Sequence, residues 1–325
     1  MTSENGVKAT SGLTDDNGTL KWAAGYNRTS AASWDEDANG SYSDVSGVGI
    51  SNGPGFVAGF FRETATTDRL MYTFREDKPT DYTSETSVHE VYQAVSTDEF
   101  STPTLLPFSY CTSMTGAGGT LSCSSTASMK SARPIAVSWL PNIGHSVVAW
   151  LNHDNGSDGS SASSNRIYIS VGRANFNNFH LAEPHDTGIR SAVGPGLVCR
   201  ENLNGTAYDC ILAYVDITDM SNPIRIVRYS VAWGTDRYEL TQDSTVYSAA
   251  VGGTTANSIT MWYLSSTSKF YMAFKGSASL QKIIVQSSTD GTSWSTVTSG
   301  LADSLTPPSA ASMFAGPNNL ITYTR

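Results

Sequence analysis

Short apolar runs, separated by polar turns rich in glycine and serine, follow one another along the whole chain, and few positions recur at the spacing of an amphipathic helix. Five runs read as the first strand of a unit: 55–61, 134–139, 196–199, 258–263 and 308–314. Four of them are led in by proline, at Pro54, Pro134, Pro195 and Pro307-Pro308. A proline at the start of a strand removes no ladder hydrogen bond. Each first run is followed by a second, at 69–75, 146–152, 209–215, 269–275 and 319–325. A third strand, closed by a short polar turn and an aromatic residue, spans 21–34, 89–100, 166–179, 225–238 and 281–294. No long helix is expected.

The closing aromatics, Trp34, Phe100, Phe179, Tyr238 and Trp294, mark five units of about 65 residues each, a period typical of propellers or solenoids. The chain opens on a third strand at 20–27 and ends after a second strand at 319–325, so one unit is expected to be shared by the two termini. Such sharing closes a ring and leaves no unpaired sheet edge, whereas a solenoid needs capping repeats. The expectation is one all-β domain over 1–325: a five-bladed β-propeller closed by strands from both termini. Its blades would fall at about 305–325 plus 1–45, then 46–110, 126–187, 188–245 and 246–304.

Composition agrees with many short strands: only 15% of residues are charged and 28 are glycine. A formal charge of −9 argues against a surface that tracks phosphates, so nucleic acid is not an expected partner. The apolar runs at 56–61 and 259–263 fall far short of the ~20 residues of a membrane-spanning helix. Residues 1–6 lack the basic, apolar, small-residue order of an export signal, so any such signal has been removed or was never there. Four cysteines form two close pairs, Cys111/Cys123 and Cys199/Cys210. Of the three possible connectivities the local one is favoured, because Cys199 closes one apolar segment and Cys210 opens the next, with Asn204-Gly205 between them. Disulfides there imply a secreted or cell-surface protein; the alternative is buried free thiols in a cytosolic one. Neither pair has the spacing of a zinc site.

The turn Ser288-Thr289-Asp290-Gly291-Thr292-Ser293-Trp294, echoed by Ser96-Thr97-Asp98, resembles the Asp-box (BNR) turn of sialidase-like β-propellers, lacking the residue usually found between Asp and Gly. The resemblance implies structural roles for Ser288, Asp290 and Trp294: hydroxyl and carboxylate bond the amides of the turn, and the aromatic packs between blades. A short Ser/Asp turn satisfies its own backbone donors on the same grounds. The sialidase arrangement also implies an arginine cluster, an Arg-Ile-Pro lead-in and a Tyr/Glu pair; Arg133-Pro134-Ile135 has those residues in another order. Five-bladed glycosidases place acids on the innermost strands, where 135–138 and 310–312 offer apolar or small side chains.

In a four-stranded blade the loops between second and third strands share a face with the links between blades, and functional residues of ring folds gather on such loops. The candidate ligand-binding set is therefore Asn152, His153, Asp154 and Asp216 at second-strand ends, with Arg133 and Arg190 just before first strands and suited to anionic groups. A merely solvated rim is the alternative. The two longest departures from the repeat, 110–125 and 154–165, are expected as long loops on the same face. Asp35, Asp37 and Asn39, followed by Gly40, open like a calcium-binding loop, although the twelfth position is Ser46 rather than a bidentate Glu. The function expected is a secreted or cell-surface binding or adhesion module that recognises glycans or a glycosylated surface, with calcium as its one candidate cofactor. A glycoside hydrolase of sialidase-like or five-bladed type is the first alternative, and a structural propeller of a surface assembly is the second.

Overall fold

The computed structural model is all-β, its strands joined in predominantly antiparallel ladders. It describes strand pairing along the chain, and side chains within 109–113, 123–131, 135–152, 165–172, 184–202, 207–249, 259–274 and 284–297, short interruptions apart.

The meander Gly196–Glu201, Ala207–Val215, Ile224–Trp233 and Tyr238–Ser248 shows how the sequence builds a sheet. Ala207–Val215 is buried over most of its length, whereas no residue of Tyr238–Ser248 is buried. The apolar run Ile211-Leu212-Ala213-Tyr214-Val215 is what burial on two faces requires, and the polar character of the last strand is what an outer edge requires. Successive side chains point to opposite faces, so the run is divided between two cores. Leu197, Leu212, Val227 and Tyr229 pack with Val147, Ala149, Leu151 and Ile169 of the preceding sheet. Val198, Ile211, Ala213 and Ile226 pack instead with Ile259, Met272, Phe274 and Trp294 of the following one. Truncating one buried leucine of the first core or one buried isoleucine of the second to alanine would cost about 2–5 kcal/mol.

Those two neighbours are built alike. One contains Ala136–Leu140, His145–Leu151, Arg166–Arg173 and His185–Arg190; the other is Thr260–Leu264, Lys269–Lys275, Lys282–Ser288 and Ser295–Ala302. A further sheet comprises Phe56–Arg62, Asp68–Thr73, His89–Ser96 and Thr104–Pro107, with Lys130–Ser131 paired to His89–Ser96. The first strands stand side by side, Phe56–Arg62 against Ala136–Leu140, then Gly196–Glu201, Thr260–Leu264 and Ala311–Met313. Their approach is close enough that a Cβ on Gly196 would lie 2.8 Å from Met261 Cγ.

The termini depart from expectation. Thr19–Asn27 pairs with Gly6–Thr14 and with Trp34–Glu36 and Ser43–Gly49, while Ala311–Met313 and Ile321–Tyr323 form a two-stranded ladder of their own. A sheet joining 20–27 to 319–325 is not among the described ladders. The local partner wins because Asn17-Gly18 separates it from Thr19–Asn27 by a short connection, and loop closure there costs far less entropy than pairing across the whole chain.

The cysteine-bracketed stretch departs too, since 110–125 is largely a hairpin rather than a long loop. Ser109–Thr115 pairs with Ser122–Ser128, and Ser109–Tyr110 runs parallel to His180–Leu181, which widens the sheet to seven strands. Its serine- and threonine-rich strands carry too few apolar residues to leave a hydrophobic period. Both expected disulfides are formed: Cys111–Cys123 spans a Cα separation of 5.6 Å, and Cys199 and Cys210 face each other in register at 4.0 Å.

Candidate functional site

Where a second strand ends, the chain meets the link arriving from the previous sheet. Asn152, just past His145–Leu151, forms an isolated bridge with Ser131; Asp216, just past Ala207–Val215, forms the same bridge with Ser191. Both serines are fully buried. The Ser191 hydroxyl donates to the Val193 carbonyl at 2.8 Å and accepts from the amides of Val193 at 3.3 Å and Val215 at 3.2 Å. One side chain thus ties the link to the strand end, as buried backbone donors demand. The loops between second and third strands therefore share a face with the links.

On that face the loop after Asp216 holds a tandem motif, Asp216-Ile217-Thr218 followed by Asp219-Met220-Ser221. Asp216 Oδ1 accepts the Thr218 amide at 2.9 Å and its hydroxyl at 2.5 Å. Asp219 Oδ1 does the same for Ser221, at 2.9 Å and 2.7 Å. These are local side-chain-to-backbone turns. Arg225, at the start of the third strand, donates to Asp219 Oδ2 at 3.2 Å and to the Ser248 hydroxyl, with its Nε 3.9 Å from Asp216 Oδ2. The Ser221 hydroxyl and amide, aided by Arg225, hold the Asp219 carboxyl below the usual range, so it is ionised at neutral pH. Burial pushes the neighbouring Tyr214 phenol up to about 12, and it stays neutral. The cluster can offer hydroxyls, a carboxylate and a guanidinium to a hydroxylated ligand.

Of the residues singled out from sequence, Asn152 and Asp216 occupy equivalent places in adjacent sheets. Asp216 is mostly occupied in shaping its loop, with a side chain 20% exposed against 38% for Asp219. Asp219, Ser221 and Arg225 are thus the groups turned to solvent there, and the repeated Asp-x-Thr/Ser spacing was the signal that could have found them. Arg190 is the last residue of its strand and the Cα partner of Arg166. Matching Ser191 to Ser131 makes Arg190 the counterpart of Lys130, not of Arg133, whose equivalent is the buried Val193. Arg133, His153 and Asp154 lie outside the described residues, as do Asp37 and Asn39; Asp35 falls in the strand Trp34–Glu36, and its side chain is not described. Among the described residues no three His, Cys, Asp or Glu side chains converge as metal ligands.

At the opposite end of the sheets the Ser288–Trp294 turn is occupied internally. Asp290 Oδ1 accepts the amides of Ser293 and Thr292 at 2.8 Å and 2.7 Å and the Ser288 hydroxyl at 2.8 Å. The buried Trp294 donates its indole N–H to the Gly291 carbonyl. Arg200 of the preceding sheet donates to the Thr289 carbonyl and lies 4.6 Å above the Phe270 ring, which pins the two sheets together.

No protein-family model and no curated protein sequence matches this chain. Solved structures do match in shape. A lectin from Aleuria aurantia, in a mutant form complexed with Fucalpha1-6GlcNAc, matches over 97% of this chain and 82% of its own length, with a TM-score of 0.53 and 11% identity. The NanB sialidase of Streptococcus pneumoniae matches 79% of this chain at a TM-score of 0.46 and 12% identity, and a leech intramolecular trans-sialidase matches 79% at 0.43 and 13%. This chain spans about a third of the length of those sialidase structures, 32% and 33%. No helix among the described residues is long and apolar enough to cross a membrane. At low sequence identity, then, the chain is an all-β protein whose fold is similar to that of β-propeller lectins.

Proposed function

We propose that this chain is a secreted or cell-surface five-bladed propeller that binds glycans on the face where its links and its second-to-third-strand loops meet. The observation that carries the reading is the hydrogen-bonded rim itself. Backbone bridges tie link to loop at Ser131/Asn152 and Ser191/Asp216, the second reinforced by the Ser191 hydroxyl, so the polar groups beyond them stand on a rigid scaffold, as recognition of a flexible hydroxylated ligand requires. The full-length likeness to a lectin and the two disulfides support it. Four four-stranded meanders account for four blades. The fifth place falls to strands from both termini, supported by the packing of Ala311–Met313 against both Thr260–Leu264 and Phe56–Arg62, and of Gly6–Thr14 against Phe56–Arg62.

Ligand contacts are assigned to 152–154 and to the Asp216–Ser221 loop, with Arg133 and Arg190 available to anionic sugars through charge-assisted hydrogen bonds. Calcium at Asp35, Asp37 and Asn39 is a further part of the proposal. A glycan array run with and without EGTA tests both points. The expected result is saturable binding that weakens in His153→Ala/Asp154→Ala while the melting temperature stays unchanged. Intact binding in that variant would remove the site from this face. Turnover of sialosides or arabinans abolished by one acidic substitution would favour the hydrolase, and neither binding nor turnover would favour a structural propeller.

A further inference from the structure

Along one face of the third strand Ile224–Trp233, Val227, Tyr229 and Val231 are buried against the preceding sheet. Two residues further, on the same face, Trp233 is 56% exposed. It is nonetheless held in place. Its Cα partner across the hairpin is Tyr238, whose ring meets the indole edge to face at 5.0 Å and 82°. Tyr238 in turn meets His145 of the preceding sheet at 4.7 Å and 66°, and His145 Nδ1 donates to the Ile143 carbonyl at 2.6 Å. Three rings from two sheets therefore form a corner whose outermost member is open to water. Beside it the Glu239 carboxylate lies against the turn glycine, its Oε2 2.6 Å from where a Cβ on Gly234 would stand.

We propose that Trp233, backed by Tyr238 and His145 and flanked by Glu239, is a stacking site for a single neutral pyranoside ring, separate from the rim. The two lie at opposite ends of a ten-residue strand, about 30 Å apart. A pyranose carrying several C–H bonds on one side has an apolar face that fits a rigid indole, while its edge hydroxyls need an acceptor such as a carboxylate. The size of the patch selects this ligand over a protein. The other large exposed apolar residues described are Val246 and Val297, and Val246 lies eight positions along the neighbouring strand from Tyr238, so among the described residues the exposed apolar surface is one ring wide and far below a protein interface. The negative charge of the chain disfavours a stacked nucleobase carrying phosphates.

The inference takes its ligand class from the glycan-binding reading but not its location, and the two separate experimentally. Saturation-transfer NMR with the methyl glycosides of glucose, galactose, fucose and N-acetylglucosamine is run on the wild type, Trp233→Ala, Trp233→Phe and the His153→Ala/Asp154→Ala variant. For at least one glycoside, affinity should fall about tenfold or more in Trp233→Ala and fall less in Trp233→Phe, and the rim variant tells which of the two sites that glycoside occupies. Binding that survives Trp233→Ala but is lost in the rim variant overturns this site and leaves the rim. Binding lost in Trp233→Ala alone supports this site and counts against the rim, and a wild type that binds none of the four overturns the proposal. If Trp233→Ala lowers the melting temperature, the Trp233→Phe titration decides, because it keeps the ring.

Discussion

Asp290 is a carboxylate whose whole task is local. Amide hydrogen bonds from Ser293 foremost, and then Thr292, with the Ser288 hydroxyl, hold its carboxyl well below the usual range. A carboxyl lowered on folding contributes stability that is fully present above its unfolded value near pH 4 and is lost as pH falls through its folded value. Asp290→Ala should therefore lower the urea midpoint at pH 7, and the gap from wild type should narrow toward pH 2. Asp290→Asn, which keeps an acceptor but not the charge, should fall between them. Equal gaps at both pH values would mean that the carboxylate's charge plays no part in holding the turn. Next to it, Gly291 has a φ of +76° and a position where a Cβ would meet Ile211 Cδ1 at 2.2 Å, so any side chain there would be strained and would displace Ile211.

At the scale of the element, the short serine-led links are as important as the strands they join. Removing the Ser191 hydroxyl leaves the buried amides of Val193 and Val215 without that acceptor, so Ser191→Ala should cost about 1–3 kcal/mol, read from urea unfolding, while Ser248→Ala at the exposed outer strand should cost much less. Equal effects would deny the link its role. The sequence made the strands legible because two-sided burial forces apolar runs such as 211–215, and it made Cys199–Cys210 legible because each cysteine bounds such a run. The links were read only through their prolines. A lone serine carries no periodicity, and its value depends on a carbonyl and two amides brought together by the fold. Charge near a proline was a poor guide for the same reason: Arg190 belongs to the strand before the link, and register rather than distance to Pro195 fixes its partner. The open aromatic corner was equally hidden, since Trp233 continues a row of buried residues and only the extent of the neighbouring sheet decides that it emerges.

Across the whole molecule, the order of sheets was legible from the five repeated runs, and the pairing of the termini was not. Repetition reports that units resemble one another, whereas the pairing of Gly6–Thr14 with Thr19–Asn27 is a local competitor that repetition does not reveal. If the ring is completed by packing of Ala311–Met313 between its neighbours, deleting 311–325 should lower the melting temperature markedly and broaden the transition; an unchanged melt would leave those strands peripheral. The parity of Ala207–Val215 also bears on how such a chain can be rebuilt. Even positions answer to one neighbour and odd positions to the other, so a sheet is not a self-contained module. A foreign sheet dropped into its place would meet two mismatched seams at once. Duplication and exchange can succeed only when touching faces travel or diverge together, and novelty accumulates at least cost in those end loops that touch neither neighbour.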